Sequence, residues 1–402
     1  MSDVLSHIIP RLSRSDQDQK IESANFSVPF NRSSLEGREL EYIFQAITSG
    51  QISGGQTFSK RCELLLEQVL GVKRALITTS CTHALEMCAL LLNIQPGDEI
   101  ITTSFTFVST VNAFVLRGAT PIFCDIRADT LNIDENKLEA LITPNTKAIV
   151  PIHYSGIACE MDQIVEVANR YDIPIIEDNA HGLFGKYKKR YLGTIGCLAT
   201  QSFHETKNIT CGEGGALLIN DPHYLERAEI ICEKGTDRSR FFRGQVDKYT
   251  WIDVGSSYVI SDVLAAFLFA QLEVRQKIQF RRQSLWERYH FELAEWACFN
   301  NIRQPFIPPE CDPGWHLYYL ILPSLEQRQA LISHLKAAGI LAVFHYHPLH
   351  LSEMGRKLTK QSQMCPVCED IHDRILRLPF YNSMTDGQQT YILETLLKFS
   401  CG

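Results

Sequence analysis

One lysine carries the first hint of chemistry. In Ser202-Phe-His-Glu-Thr-Lys207-Asn-Ile-Thr-Cys-Gly212, Lys207 sits in a short polar turn before Glu213-Gly214-Gly215 and an apolar run, Ala216-Leu217-Leu218-Ile219. A lysine held in a partly desolvated turn loses proton affinity and can form a Schiff base with an aldehyde. Solvated surface lysines are far commoner, so this residue alone decides nothing. Asp178 changes the balance. It ends the apolar segment Ile173-Pro-Ile-Ile-Glu-Asp178, 29 residues ahead of Lys207. A carboxylate at the end of a buried strand is what pyridoxal phosphate needs to keep its pyridine nitrogen protonated, so that the ring acts as an electron sink. Together the two residues imply that cofactor.

Other residues fit around it, each with an ordinary alternative. Ser80-Cys81-Thr82 falls where a strand-like run gives way to a helical one. Backbone N–H groups at a helix N-terminus hold anions such as phosphate, although a plain Ser/Thr cap has the same sequence. Ser202 adds a hydroxyl five residues before Lys207. Phe107 follows a strand end and suits stacking on a flat ring, as it suits a core. His181, three residues after Asp178, suits the cofactor's phenolic oxygen or a structural hydrogen bond.

These residues need a frame, and the sequence predicts one. Arg74–Thr78, Asp98–Thr102, Thr120–Asp125, Ala148–Ile152 and Ile173–Glu177 read as short apolar strands. Helical patterns over Thr82–Leu92, Thr110–Leu116 and Met161–Tyr171 alternate with them. This rhythm predicts an α/β fold with a mainly parallel sheet, whose active groups gather at the carboxyl ends of the strands. Ser80, Thr103, Asp178 and Lys207 all fall there. A long helical stretch over about Ile260–Leu293 then leads to a small α+β domain. In it Trp315–Leu322 and Ala342–His345 read as strands, and Leu325–Ala338 and Asp386–Phe399 as helices. The expected division is an arm at 1–26, a large cofactor-binding domain at 27–280 and a small domain at 281–402.

Composition narrows the class. The chain has 402 residues, 45% of them hydrophobic, and a net charge of -7. It offers no basic field for nucleic acid. Nor does it contain an apolar run of about 20 residues that would span a membrane. Residues 1–26 lack a signal-peptide core, so the cytoplasm is the expected compartment. The thirteen scattered cysteines read as reduced thiols. Cys365-Pro-Val-Cys368 has no second pair to complete a zinc site, and no metal is expected.

Five segments taken together resemble a known family. Ser80-Cys-Thr-His-Ala-Leu, Phe105-Thr-Phe-Val-Ser-Thr, Glu177-Asp-Asn-Ala-His, the Lys207 run and His345-Tyr-His-Pro-Leu-His350 are similar, in order, to motifs of the DegT/DnrJ/EryC1/StrS aminotransferases. The resemblance spans about residue 27 to the C-terminus. It implies fold type I, the aspartate aminotransferase-like architecture, and a homodimer. It also implies Lys207 as the cofactor-binding lysine and Asp178 as the pyridine partner. Cys81, Thr82 and Ser202 become phosphate ligands, Phe107 the stacking ring and His181 a further cofactor contact.

Two departures qualify the match. Many members have Ser-Gly-Thr where this chain has Ser80-Cys81-Thr82. Many also have Gly-x-Asn-x-Arg where it has Gly255-Ser-Ser-Tyr-Val259, so Ser257 replaces the Asn that reaches the neighbouring subunit's cofactor. Those variants, with Glu233–Trp251, resemble the subgroup that makes dTDP-4-amino-4,6-dideoxygalactose for enterobacterial common antigen. The implied substrates are a dTDP-keto-deoxysugar and L-glutamate. Arg238, Arg240 and especially Arg243 are the clustered cations for the diphosphate, and Tyr346 and His347 are expected at the sugar. A 4-amino-glucose (viosamine) or 3-amino product is the neighbouring alternative, and a non-catalytic regulatory protein on this fold the remote one. Lys207 itself opposes the related dehydratases, which resemble this chain with histidine at that place.

Overall fold

The computed structural model describes residues 27–359 and 363–401. The expected arm at 1–26 lies outside the described residues. Seven strands form the central sheet: β1 (Arg74–Thr78), β2 (Glu99–Thr103), β3 (Thr120–Cys124), β4 (Thr146–Val150), β5 (Ile176–Asp178), β8 (Leu198–Ser202) and β9 (Gly215–Ile219). Their spatial order is β3-β2-β4-β5-β8-β9-β1, with β4 and β5 joined through the bridges Ile149–Ile175 and Ile152–Asp178. Only β9 runs against the rest, antiparallel to both β8 and β1. Every residue of β8 and β9 is buried, so the sheet is covered on both faces.

Alternation along the strands sends neighbouring residues to opposite cores. Leu218 and Ala216 pack with Tyr42, Phe58, Leu66 and Phe269 from helices α1 (Glu39–Thr48), α2 (Thr57–Leu70) and α8 (Asp262–Glu273). Leu217 and Ile219 pack with Leu85, Met87 and Ile231 from α3 (Cys81–Leu91) and α6 (Leu225–Cys232). Burying each such side chain stabilises the fold by about 1.5–3 kcal/mol. Helices α4 (Ser109–Val115) and α5 (Met161–Arg170) complete the crossovers, and α7 (Arg238–Phe242) is a short surface turn of helix. A hairpin, β6 (Lys186–Tyr187) with β7 (Arg190–Tyr191), pairs through β6 with β10 (Cys311–Asp312).

The helical stretch expected over Ile260–Leu293 is two helices. Helix α8 stops at Val274 (φ -98°, ψ 18°), and α9 runs over Arg275–Glu292. Ile278 of α9 still packs in the large core, whereas Leu285, Trp286 and Tyr289 lie in the small-domain core. There β11 (Tyr319–Ile321) pairs antiparallel with β12 (Ile375–Arg377) under α10 (Leu325–Ala337), α11 (Pro366–Arg374) and α12 (Asp386–Leu397). Ala342–His345, expected as a strand, supplies only one bridge, Val343–Arg377, and no strand follows it into the His345–His350 loop. The two domains meet through Phe105, Tyr154, Tyr319, Cys365 and Cys368. Among the described residues no helix is long and apolar enough to cross a membrane.

Candidate active site

The one reversed strand builds the site. Because β9 returns antiparallel beside β8, their connection stays at the carboxyl edge of the sheet and holds Lys207 there. The turn is closed by Phe203 N–H to Gly214 O (2.8 Å), Glu205 N–H to Gly212 O (2.8 Å) and Cys211 N–H to Phe203 O (3.0 Å). Gly215 then lets α3 approach. A Cβ there would lie 2.3 Å from the Cys81 nitrogen, so any other residue pushes the N-terminus of α3 away from the lysine turn. Burial lowers the Lys207 amine to about 8, with Cys81 and Asp178 opposing that effect and Arg377 adding to it. Burial likewise raises the Cys81 thiol to about 12, helped by Asp178, so it stays a neutral thiol beside Lys207 and Thr200.

Two adjacent carboxylates end β5 and do different work. Glu177 is wholly enclosed and accepts from the backbone N–H of Gly193 (2.8 Å), Ile195 (2.6 Å) and Gly196 (2.7 Å), with His153 Nε2 at 2.9 Å. Those donors, His153 foremost, hold its pKa below the usual carboxylate range despite burial. Glu177 is structural. Asp178 is only lightly engaged: Oδ2 accepts from Thr110 Oγ1 (2.7 Å) and Oδ1 from Ala180 N–H (3.2 Å). A carboxylate oxygen can accept more than one bond, so Asp178 keeps room for another donor.

A chain of side chains continues from the lysine into the small domain. Asn208, next to Lys207, donates to Gly314 O (2.5 Å) and faces His316 Nδ1 at 2.9 Å. His316 stacks on His181 at 4.2 Å, and both imidazoles are held neutral by burial. His181 Nδ1 is buried with no partner. Tyr154 lies beside His181 and is 2.7 Å from His345 Nδ1, and Tyr346 stacks on His345 at 3.5 Å. Sequence reasoning missed Asn208, His316, Tyr154, Thr110 and Thr200 as site residues. Only Asn208 and Thr110, which lie inside the quoted motifs, left a signal.

The sequence-predicted residues separate into two groups. Lys207, Asp178, Cys81, Thr82, Ser202 and His181 converge at the carboxyl edge. Ser80 Oγ caps α3 by accepting from His83 N–H (3.1 Å), while Thr82 Oγ1 donates to Ser109 Oγ (2.8 Å). Phe107 is 59% exposed, and its carbonyl accepts from Thr110 N–H at 3.2 Å. Ser257 is exposed on a segment pinned to its own β1 end by Thr79 N–H to Tyr258 O (2.9 Å). His347 is exposed against His372. Arg238 pairs with Glu233, Arg240 with Glu226 and Arg243 with Glu229 (2.7 Å) in the same chain. No contact joins them to the Lys207 turn among the described residues. Cys365 and Cys368 are buried at the Pro366 start of α11, and no group of three metal-ligating side chains forms among the described residues.

The arrangement fits pyridoxal phosphate. A lysine lowered toward neutrality, a carboxylate with spare acceptor capacity, an unpartnered buried imidazole nitrogen and a helix N-terminus lie around one edge. The DegT/DnrJ/EryC1/StrS aminotransferase family model matches residues 33–397. SpsC of Bacillus subtilis, a spore coat polysaccharide biosynthesis protein, is 32% identical, covering 94% of this chain and 98% of its own. Spr1654 of Streptococcus pneumoniae, known in a PMP form, superposes with a TM-score of 0.85 at 26% identity over 92% of this chain and 98% of its own. PseC of Helicobacter pylori, an aminotransferase involved in the biosynthesis of pseudoaminic acid, superposes with a TM-score of 0.82 at 25% identity over 93% and 98%. The chain therefore belongs to the DegT/DnrJ/EryC1/StrS aminotransferase family, and is a pyridoxal phosphate-dependent sugar aminotransferase of fold type I.

Proposed function

We propose that this aminotransferase moves the amino group of L-glutamate to carbon 4 of dTDP-4-keto-6-deoxyglucose, giving dTDP-4-amino-4,6-dideoxygalactose. The observation that supports the reading is the similarity of the Glu233–Trp251 run, with Ser80-Cys81-Thr82 and Gly255-Ser-Ser-Tyr258, to one subgroup of the family. When bound, pyridoxal phosphate supplies the electron sink that makes a donor α-carbon acidic. Lys207 takes the proton from that carbon as a neutral amine and later delivers one to carbon 4 of the sugar, and a pKa near 8 suits both directions. Asp178 holds the pyridine-nitrogen proton, itself oriented by Thr110. Cys81, Thr82 and Ser202 hold the phosphate, His181 Nδ1 meets the phenolic oxygen and Phe107 covers the ring. Tyr346 and His347 orient the sugar.

The working unit is a homodimer with composite sites, Ser257 of each chain reaching its neighbour's cofactor. Trp251 (79% exposed), Phe242 (70%) and Val254 (56%) support this, forming an apolar surface beside the Gly255–Tyr258 segment. Arg243 serves the diphosphate across that boundary by exchanging Glu229 for the substrate. Incubation with dTDP-4-keto-6-deoxyglucose and glutamate, followed by NMR of the product, tests the reaction. An axial amine at carbon 4 is expected. An equatorial one makes the enzyme a viosamine producer, and an amine at carbon 3 removes the subgroup assignment.

A further inference from the structure

Two enclosed side chains near the lysine have no part in the chemistry above. Tyr154 and His345 are 1% and 6% exposed, and Tyr154 Oη lies 2.7 Å from His345 Nδ1. Tyr154 follows β4 in a turn where its own N–H donates to Asn132 Oδ1 (2.8 Å). The next two residues, Ser155 (φ 61°) and Gly156 (φ 86°), are both left-handed. A serine in that region stores backbone strain, which persists only where surrounding contacts enforce it. Here Ser155 Oγ donates to Leu317 O (3.2 Å), and a Cβ on Gly156 would lie 2.9 Å from the His181 carbonyl. The turn thus aims the tyrosine from the large domain, and the small domain brings His345 to meet it with the Tyr346 ring stacked on the imidazole.

Hydrogen-bond accounting sets the direction of the pair. Tyr154 Oη has no other acceptor among the described residues, so its proton goes to His345 Nδ1. The reverse bond would leave a buried hydroxyl proton unsatisfied. Burial, with Arg377, His181 and Lys207 nearby, keeps His345 neutral. The one proton of the neutral ring therefore sits on Nε2. No protein acceptor meets that N–H among the described residues. The ring lies 6.3 Å from that of His181 and close enough to Lys207 to feel its charge. An unpaired donor in such a place calls for an acceptor on a ligand. The amino donor brings carboxylates, which are matched by cations rather than by a neutral N–H. The keto sugar brings neutral oxygens. We infer that His345 Nε2–H donates to a neutral oxygen, carbonyl or hydroxyl, of the keto-sugar ring, and that Tyr154 is the positioning residue that fixes its tautomer. This rests on the keto-sugar acceptor of the proposed function, not on which carbon is aminated.

The test takes the holoenzyme through each half-reaction separately. Rapid mixing with glutamate, read from the cofactor absorption, gives a donor Kd. The pyridoxamine form mixed with dTDP-4-keto-6-deoxyglucose gives a sugar Kd. His345→Phe is expected to raise the sugar Kd about 10–100-fold, the range for leaving a buried acceptor unpaired, and to change the glutamate Kd about threefold at most. His345→Gln, whose amide takes the Tyr154 proton on its oxygen and presents an N–H, is expected to recover most of that loss. Tyr154→Phe should cost about fivefold in the sugar half and nothing further in the His345→Phe background, because it acts only through that ring. Nitrogen NMR of histidine-labelled protein adds a readout free of turnover: wild-type His345 shows the Nε2–H tautomer, and Tyr154→Phe mixes the two. Retained cofactor absorption and unchanged melting show that the variants are folded. A sugar Kd within about threefold of wild type in His345→Phe overturns the inference. So does an Nδ1–H tautomer, an equal loss in both halves, or additive losses in the double variant. A wild-type enzyme that rejects this keto sugar refutes the sugar assignment alone. The tautomer, and the same comparison with the nucleotide keto sugar that it does accept, then decide for His345.

Discussion

The carboxyl edge of the sheet and the surface segment from Arg238 to Val254 are opposites. At the edge, Asp178 and His181 are buried and Lys207 half-buried, in positions set by strand ends, a closed turn and one glycine contact. On the surface segment the apolar rings of Phe241, Phe242, Tyr249 and Trp251 face outward, and the arginines are tied to glutamates of α6 and its end. The first region is fixed by its own strand ends and turn. The second presents apolar area that water covers poorly. The two regions are thus built from differently constrained parts, and variants in each should fail differently.

The largest effect belongs to Lys207→Ala. Losing both the covalent anchor and the proton carrier should lower kcat by about 10⁴-fold or more while the fold persists, measured by steady-state assay and circular dichroism. Borohydride reduction of the wild type should fix the cofactor on Lys207, and an adduct on another lysine would remove the site assignment. The lowered pKa adds a pH test. A half-buried lysine whose desolvated amine has a folded pKa of about 8 costs stability below that pH, and the cost is relieved as pH rises from about 8 toward the ordinary 10.5. The Lys207→Met apoenzyme should accordingly be more stable than wild-type apoenzyme at pH 7, with the gap closing by pH 10. Asp178→Asn comes next. A neutral amide cannot hold the pyridinium proton, so kcat should fall about 10²–10³-fold with part of the cofactor retained. Near wild-type turnover would mean the residue has another role.

On the outward-facing segment the expected losses are of assembly. Trp251→Asp with Phe242→Asp should weaken dimerisation by about 30-fold or more, seen by light scattering across a dilution series. Mixing Ser257→Trp chains with Lys207→Ala chains should restore activity, because one site of each mixed dimer is free of both lesions. Statistical exchange gives about a quarter of wild-type sites. No recovery after proven exchange would mean each site is built from one chain.

Much of the first region was legible because its constraints are local. Strand β1 begins and ends where the apolar run does, and Ser80, Asp178 and Lys207 each stand at a strand end that alternation and flanking turns mark. The polarity of β9 was not legible, since a five-residue apolar run reads alike in either direction. The break at Val274 and the brevity of the strand before His345 depend on packing against other elements. The ion pairs of the arginines were hidden for a related reason: Glu226, Glu229 and Glu233 precede them by 5 to 14 residues, and only the fold of α6 against α7 shows that they pair.

The smallest expected effect is also the most discriminating within the first region. Thr110 Oγ1 donates to Asp178 Oδ2 at 2.7 Å and lies 3.0 Å from Thr106 Oγ1, so α4 fixes the carboxylate through one hydroxyl. Thr110→Val keeps the shape and removes the donor. A hydrogen bond to a charged group contributes about 1.5–3 kcal/mol, but Asp178 retains Ala180 N–H and its charge, so most of that is recovered by rearrangement. A fall in kcat of about tenfold is expected, with glutamate and sugar KM nearly unchanged and Thr110→Ser restoring the rate. A loss as large as that of Asp178→Asn would show that Thr110 holds the ring's partner in place outright. No loss would show that the backbone of β5 alone aims the carboxylate, which would make the strand end, rather than the α4 hydroxyl, the device that orients it.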